Sequence, residues 1–227
     1  MNPRLIVALD VETLAAAEAL ADRVAGVAGY LKVGLELFIA EGPAAVRALA
    51  RRAPIMLDLK LHDIPETVAR ATARAADLGV ALLTVHTAGG RRMMEAAARA
   101  RGATRLLGVT VLTSLVDRDL AEIGAEPSVE SVVARRATLA MEAGLDGVVA
   151  SPLEAARVAR AAPDGFLIVT PGVRPAGADA PGDDQARVAT PRAARAAGAT
   201  HVVVGRPIRD AADPRAAALA IAAELDA

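Results

Sequence analysis

A dense cluster of ionisable side chains lies in the segment Asp58-Leu59-Lys60-Leu61-His62-Asp63-Ile64-Pro65. Residues two apart on a β-strand share a face, so Asp58 and Lys60 point to one side and the neighbouring leucines to the other. The pair alone also fits a buried structural salt bridge. With Asp63 nearby as a second carboxylate, the ammonium would stay protonated. Such a lysine suits the stabilisation and protonation of a carbanion better than Schiff-base formation.

The composition draws attention to the same residue. Of the 26 basic residues, 24 are arginines, and only Lys32 and Lys60 are lysines. Arginine keeps its proton near neutral pH, whereas lysine can give its proton up. We therefore take Lys32 and Lys60 as the first candidates for proton chemistry.

Short apolar runs typical of strands alternate along the chain with longer Ala-rich helical stretches. The predicted strands span residues 5–9, 30–33, 55–59, 82–86, 106–111, 147–150, 166–170 and 201–205. The predicted helices span residues 13–24, 43–52, 66–78, 91–101, 129–143, 152–161, 191–197 and 214–225. Eight βα units of about 28 residues predict an α/β fold, a (β/α)8 TIM barrel forming a single domain over residues 1–227. A doubly wound sheet is the alternative, although no glycine-rich loop follows the first strand.

Barrel enzymes place their chemistry at the carboxyl ends of the strands. The predicted strands bring both lysines there, in the set Asp10, Lys32, Asp58, Lys60, His86, Thr110, Ser151, Thr170, Gly205 and Arg206. Residues 171–191 are rich in Gly, Pro and Asp, which is typical of a lid or binding loop, with a disordered insertion as the alternative. This stretch holds Arg174 and the only glutamine, Gln185. With Gly205-Arg206-Pro207 after the last strand, it predicts a phosphate site.

The overall composition argues against several classes of protein. The 26 basic and 27 acidic residues give a net charge of −1, without the basic excess typical of nucleic-acid binding. The chain has no cysteine and three scattered histidines, so we expect neither disulfides nor a thiolate or His-rich metal site. Its apolar runs are short and interrupted by charges, so we expect no membrane span and a cytoplasmic location.

The segment Asp58-Leu59-Lys60-Leu61-His62-Asp63-Ile64-Pro65 resembles the Asp-x-Lys-x-x-Asp signature of the orotidine 5′-phosphate decarboxylase family. The other matching stretches occur in order along essentially the whole chain: Val7-Ala8-Leu9-Asp10, Leu31-Lys32-Val33-Gly34, Val109-Thr110-Val111-Leu112-Thr113-Ser114, Thr170-Pro171-Gly172-Val173-Arg174-Pro175 and Val204-Gly205-Arg206-Pro207. The resemblance implies decarboxylation of orotidine 5′-monophosphate (OMP) to uridine 5′-monophosphate (UMP) and carbon dioxide, the last step of de novo UMP synthesis. It implies neither a cofactor nor a metal.

The resemblance also implies roles for individual residues. Lys60 would donate a proton to C6 of the pyrimidine, and Asp58 would lie near the departing carboxylate. Asp63 would come from the other subunit of a homodimer and complete an alternating array with Lys32, Asp58 and Lys60. The implied contacts with the substrate are Asp10 and Lys32 to the ribose, Thr113 to the pyrimidine, Ile64 and Thr67 from the partner chain, and Arg174, Gln185, Gly205 and Arg206 to the phosphate.

Two alternatives stay open from the sequence. The nearest is a magnesium-dependent sugar-phosphate decarboxylase or aldolase of the same superfamily, which uses an acidic metal ligand on the second strand. This chain has Lys32 at that place, and a cation there would repel the metal. The other is a phosphate-binding barrel that regulates or senses without catalysis, against which the retention of both lysines and both motif aspartates argues.

Overall fold

The computed structural model describes residues 1–124, 128–176 and 188–226. Eight parallel strands follow one another around a closed barrel in chain order, and β8 pairs with β1. The strands are β1 (Asn2–Ala8), β2 (Ala28–Val33), β3 (Ile55–Leu61), β4 (Leu82–His86), β5 (Arg105–Val109), β6 (Gly147–Val149), β7 (Leu167–Thr170) and β8 (His201–Val204). The predicted barrel is confirmed, and the closure of the sheet excludes the doubly wound alternative.

Helices connect the strands and cover the outside of the barrel. They are α1 (Leu14–Val24), α2 (Leu35–Glu41), α3 (Pro43–Leu49), α4 (Pro65–Asp77), α5 (Gly90–Ala100), α6 (Asp117–Glu122), α7 (Val129–Glu142), α8 (Pro152–Ala161), α9 (Pro191–Ala196), α10 (Arg206–Arg209) and α11 (Pro214–Asp226), with a short 3₁₀ turn at Thr87–Gly89. The sequence pattern missed α2, α6 and α10, since helices this short show little 3.6-residue periodicity. The equally short α3 and α9 are predicted because each begins with a proline, which is a helix start signal. Within the described ranges, no helix is both long and apolar enough to cross a membrane.

Alternating strand residues divide the apolar core into two layers. The inner layer fills the barrel, and we call it the inner cluster: Ile6, Ala8, Met56, Leu82, Leu107, Leu167, Val169 and Val203. The outer layer lies between strands and helices and contains residues such as Leu57 and Leu83. On β3 the two layers therefore receive neighbouring residues, Met56 inward and Leu57 outward, as the period of a strand requires. The inner cluster forms the floor of the cavity at the carboxyl ends of the strands.

Candidate active site

Three neighbouring strands place four charged side chains in one row at the carboxyl end of the barrel. β1 leads into Asp10, β2 carries Lys32, and β3 carries Asp58 and Lys60. All four line the same cavity, together with members of the inner cluster. The row therefore continues the inward-facing positions of the strands beyond the apolar interior.

The charges in this row alternate. The Lys32 ammonium lies 2.7 Å from Oδ1 of Asp10 and 3.7 Å from Oδ2 of Asp58. The Lys60 ammonium donates to both carboxylate oxygens of Asp58, at 3.0 Å each. Each ammonium thus faces a carboxylate, and Asp58 stands between two cations.

Asp58 is the most enclosed of the carboxylates in this row, with 13% of its side chain exposed against 46% for Asp10. Burial on its own would raise the pKa of Asp58. The charges of Lys32 and Lys60, with hydrogen bonds from Lys60 and Thr84, outweigh burial and hold the pKa below its usual range. Asp58 is therefore a carboxylate at neutral pH and places a fixed negative charge in the cavity.

The backbone of Lys60 is unusual. Its φ is 50°, the one positive value at a non-glycine residue in the described part of the chain. A side chain in this left-handed region carries strain, commonly about 1–3 kcal/mol, and such strain persists where the surroundings hold the backbone in place. The β3–β4 register shifts here, since Leu57 pairs with Leu83 but Leu61 pairs with Val85. Lys60 thus shares its side with Asp58, as the alternation predicted, but through a bulge rather than a regular strand.

One cavity of about 550 Å³ at this end of the barrel contains most of the predicted site residues. Those that line it are Asp10, Lys32, Asp58, Lys60, Thr113, Arg174, Gly205 and Arg206. The loop after β7 reaches the cavity at Arg174, and a parallel bridge between Val173 and Ala189 closes its base. Gln185 lies outside the described residues.

Three predicted residues at the start of α4 lie apart from the cavity of their own chain. The described residues that line the cavity do not include Asp63, Ile64 or Thr67. Asp63 is exposed, and its carboxylate accepts from the backbone N–H of Ile64, whose side chain is 66% exposed. The single chain therefore leaves Asp63 and Ile64 exposed and Thr67 half-buried, all three outside the described lining of the cavity.

Comparison with known proteins identifies the family. A model of the orotidine 5′-phosphate decarboxylase / HUMPS family matches residues 3–221. The chain belongs to this family. A protein of Anaeromyxobacter sp. (strain K) named orotidine 5′-phosphate decarboxylase is 59% identical over 226 residues, which cover 99% of both chains. The protein of that name from Moorella thermoacetica is 54% identical over 98% of this chain and 92% of its own.

Solved structures extend the likeness to the fold of the family. Orotidine 5′-phosphate decarboxylase from Lactobacillus acidophilus is 36% identical, with a TM-score of 0.87 over 98% of this chain and 99% of its own. The enzyme from Pyrococcus horikoshii is 27% identical, with a TM-score of 0.78 over the same shares. The resemblance on which the sequence analysis relied is thereby confirmed.

The decarboxylase-family cavity contains one charged residue that the sequence analysis missed. Arg209 lines it from α10, donating from Nη1 to the backbone carbonyl of Asp10 at 2.8 Å. The Asp210 carboxylate accepts from Nε and Nη2 of the same guanidinium at 2.6 and 2.9 Å. The signal was its place three residues after Arg206, which puts both on adjoining positions of one helical turn. Among 24 arginines that spacing alone is weak.

A second missed residue is Thr84, on β4. It is fully buried, and its hydroxyl bonds to Asp58 and to the backbone of Lys60. Its only sequence signal is a polar residue between apolar neighbours, Leu83 and Val85, in the strand.

Two histidines stack close to Lys60. The rings of His62 and His86 lie 5.3 Å apart and nearly parallel. Burial, with the charges of His62, Arg136 and Lys60, lowers the pKa of His86 to about 4. His86 is thus neutral at pH 7, and its Nδ1 accepts from the backbone N–H of Ala88. The ring of His86 is therefore packed and hydrogen-bonded.

Proposed function

We propose that this protein decarboxylates OMP to UMP and carbon dioxide with Lys60 as the proton donor. The observation that carries the proposal is the Lys60 ammonium held 3.0 Å from both oxygens of Asp58, within a cavity lined by the family's motif residues. It is supported by the 59% identity to a protein of that name over almost the full chain.

The residues suggest how the bond is broken. The bond between C6 and the carboxylate carbon breaks, carbon dioxide leaves, and the electron pair stays on C6. The ammonium of Lys60 stabilises this developing charge and then transfers a proton to C6, forming UMP. Water later returns a proton to the lysine. The fixed charge of Asp58 lies near the departing carboxylate and favours its loss as a neutral molecule.

The charges of the cavity fit such a substrate. Its described lining residues carry five cations, Lys32, Lys60, Arg174, Arg206 and Arg209, and two carboxylates, Asp10 and Asp58, so the net charge is 5 − 2 = +3. OMP carries a phosphate dianion and a carboxylate. The excess of cations suits an anionic substrate such as OMP, and the arginines lie where its phosphate would bind.

The remaining predicted contacts follow from this placement. Asp10 and Lys32 bind ribose hydroxyls, and Thr113 contacts the pyrimidine ring. The phosphate lies between the ends of β7 and β8, held by Arg174, Gly205 and Arg206 with Gln185. Gly205 leaves space at this point, because a Cβ built on it would approach other atoms no closer than 3.5 Å. Arginine pairs with phosphate oxygens through two parallel hydrogen bonds.

The test is ultraviolet absorbance of OMP mixed with purified protein in excess chelator. We expect the orotate band to disappear with the wild type and to persist with Lys60→Ala. Persistence with the wild type, together with turnover of a sugar phosphate after magnesium is added, would instead support the metal-dependent branch of the superfamily. The geometry argues against that branch, because the Lys32 ammonium lies between the carboxylates of Asp10 and Asp58 that a metal would need.

The same proposal includes a homodimer in which Asp63, Ile64 and Thr67 complete the cavity of the partner chain. Its support is that Asp63 and Ile64, which follow closely after Lys60 in the chain, are exposed and lie outside the described lining of their own cavity, with Ile64 66% exposed. A mixing experiment tests it. Lys60→Ala and Asp63→Ala chains are unfolded and refolded together.

If Asp63 acts in the partner's site, each mixed dimer regains one intact site. Half of randomly paired dimers are mixed, so about a quarter of the wild-type activity should return. If Asp63 acts within its own chain, no mixed dimer has an intact site and activity stays at the level of the separate variants.

A further inference from the structure

The hydroxyl of Thr84, which is not among the described residues lining the cavity, bonds to both Lys60 and Asp58 of the proposed site. Thr84 lies on β4, next to the bulge of β3, and none of its surface is exposed. Its Oγ1 accepts the backbone N–H of Lys60 at 2.9 Å and donates to Oδ1 of Asp58 at 2.9 Å. A threonine hydroxyl has one proton to donate, so these two bonds define its orientation.

The two bonds act on different degrees of freedom. The bond to the backbone holds Lys60 at the point where φ is 50° and the β3–β4 register shifts. The bond to the carboxylate holds the oxygen of Asp58 that also accepts from the Lys60 ammonium. One hydroxyl therefore contacts both the backbone from which the Lys60 side chain extends and the carboxylate to which the Lys60 ammonium binds.

We propose that Thr84 is a positioning residue, which keeps the Lys60 ammonium aimed into the cavity by holding both the Lys60 backbone and the Asp58 carboxylate. The proposal rests on the proposed decarboxylation only for its kinetic readout. Thr84 is absent from the described residues that line the cavity, so it acts through Lys60 and Asp58 and not on the substrate.

The test compares Thr84→Val with Thr84→Ser. Valine keeps the shape and removes the hydroxyl, whereas serine keeps the hydroxyl. A buried hydrogen bond to a charged group corresponds to a rate change of about 10- to 100-fold. We expect kcat to fall by that factor in Thr84→Val, with the dissociation constant of UMP within about twofold of wild type. Thr84→Ser should restore most of kcat.

The pH profile gives a second readout. Hydrogen-bond donation by Thr84 is among the causes that lower the pKa of Asp58. Without it the charged carboxylate is less stabilised, so the acidic limb of the kcat profile should move to higher pH in Thr84→Val. A residue that only supports the fold would leave this limb in place.

Thr104→Val is the matched control. Thr104 is also buried, at 3% exposure, and its hydroxyl donates to the backbone carbonyl of Val80 at 2.8 Å, away from the cavity. It should lose stability like Thr84→Val while keeping kcat and the pH profile. If valine at 84 prevents folding, Thr84→Ala replaces it in each measurement.

A crystal structure of the variant separates this proposal from the proposed activity, because it needs no turnover. We expect Lys60 to leave the left-handed region, or its ammonium to move away from Asp58. A variant structure with Lys60 unchanged and both 3.0 Å contacts kept would overturn the proposal, whatever the substrate of the protein is. A wild-type kcat in Thr84→Val would overturn it too. Failure of the wild type to consume OMP would count against the proposed function alone.

Discussion

The two ends of the barrel are built from the same strands but hold opposite kinds of side chain. At the amino ends, Leu82 and Leu167 pack into the inner cluster, and the ring of Tyr30 meets that of His201 edge-on at 5.6 Å. At the carboxyl ends, Asp58 and Lys60 bring charges into a cavity. Apolar burial stabilises a fold, whereas buried ion pairs contribute little net stability because each ion loses its water.

The difference indicates that the side chains at the amino end mainly stabilise the fold, whereas those at the carboxyl end mainly serve the chemistry. The charged row is costly to assemble, yet its members support one another closely enough that Asp58 stays ionised despite its burial. We therefore expect substitutions at the carboxyl end to change activity much more than stability. Substitutions at the amino end should do the reverse.

The largest effect is expected at Lys60. Lys60→Ala should lower kcat/KM for OMP by at least about 10³-fold, since it removes both the proton donor and the positive charge opposite the carbanion. Absorbance of the orotate band measures the loss. Lys60→Arg keeps the charge but holds its proton too tightly to give it up, so it should rescue little. The midpoint of thermal unfolding should change only slightly. A large fall in this midpoint would contradict the expectation that substitutions at the carboxyl end change activity much more than stability.

The converse prediction concerns Leu82 in the inner cluster. Leu82→Ala leaves a cavity in the barrel interior and should lower the free energy of unfolding by about 2–5 kcal/mol. Its kcat, measured well below the unfolding temperature, should stay within about twofold of wild type. Leu219→Ala is the matched control, because Leu219 is 50% exposed and its loss should change stability by no more than about 0.5 kcal/mol. A large fall in kcat for Leu82→Ala would show that the two ends are coupled.

Arg206 sharpens the comparison within the carboxyl end. Arg206→Ala should weaken UMP binding by about 10- to 100-fold, the effect of losing charged hydrogen bonds to phosphate. Calorimetric titration with UMP measures it. Turnover of orotidine, which lacks the phosphate, should hardly change. If Arg206→Ala lowered orotidine turnover as much as it weakened UMP binding, Arg206 would act in the chemical step and not in phosphate binding.

The smallest effect is expected at His201, at the amino end. Burial, with the charges of Arg105 and Arg4, lowers the pKa of His201 to about 4 from an ordinary value near 6.5. Between these values the unfolded chain binds the proton and the folded chain does not, so stability falls as the pH drops from 6.5 to 4.

Between pH 7 and pH 5 the free energy of unfolding of the wild type should fall. In His201→Gln this fall should be smaller by about 1–2 kcal/mol, as measured by urea unfolding at each pH. His86, whose pKa is lowered similarly, keeps part of the slope in the variant. If the pH dependence of the free energy of unfolding is the same in His201→Gln and the wild type, then His201 takes up its proton in the folded protein as readily as in the unfolded chain.

Most of the fold could be predicted from the sequence, because the strands and the longer helices each show the periodicity of apolar residues typical of their type. The predicted strand limits differ from those observed by at most three residues, the largest difference being the start of β1 at Asn2 instead of residue 5. Alternation also put Asp58 and Lys60 on one side. It did not predict the left-handed backbone of Lys60, which coincides with the shift of the β3–β4 register and with a hydrogen bond to Thr84, a residue distant in sequence.

Other parts of the site lay beyond sequence reasoning for separate reasons. Arg209 is one of 24 arginines, and only its bond to the Asp10 backbone distinguishes it. Asp63 lies outside the described lining of its own cavity, and its expected place in the partner's site comes from the family resemblance. These are tertiary or quaternary relations, which leave no periodic trace in a sequence.

The scarcity of lysine allows the charged row of the cavity to be labelled selectively. Apart from the α-amino group, Lys32 and Lys60 carry the only primary amines in the chain. Reductive methylation with ¹³C-formaldehyde would therefore mark just two side chains, and both line the cavity. Lys60, with 33% of its side chain exposed, should react before Lys32, with 10%. Among side chains, a carbon-13 spectrum of the labelled protein would then contain signals from Lys60 and Lys32 alone, both of which lie in the charged row of the cavity.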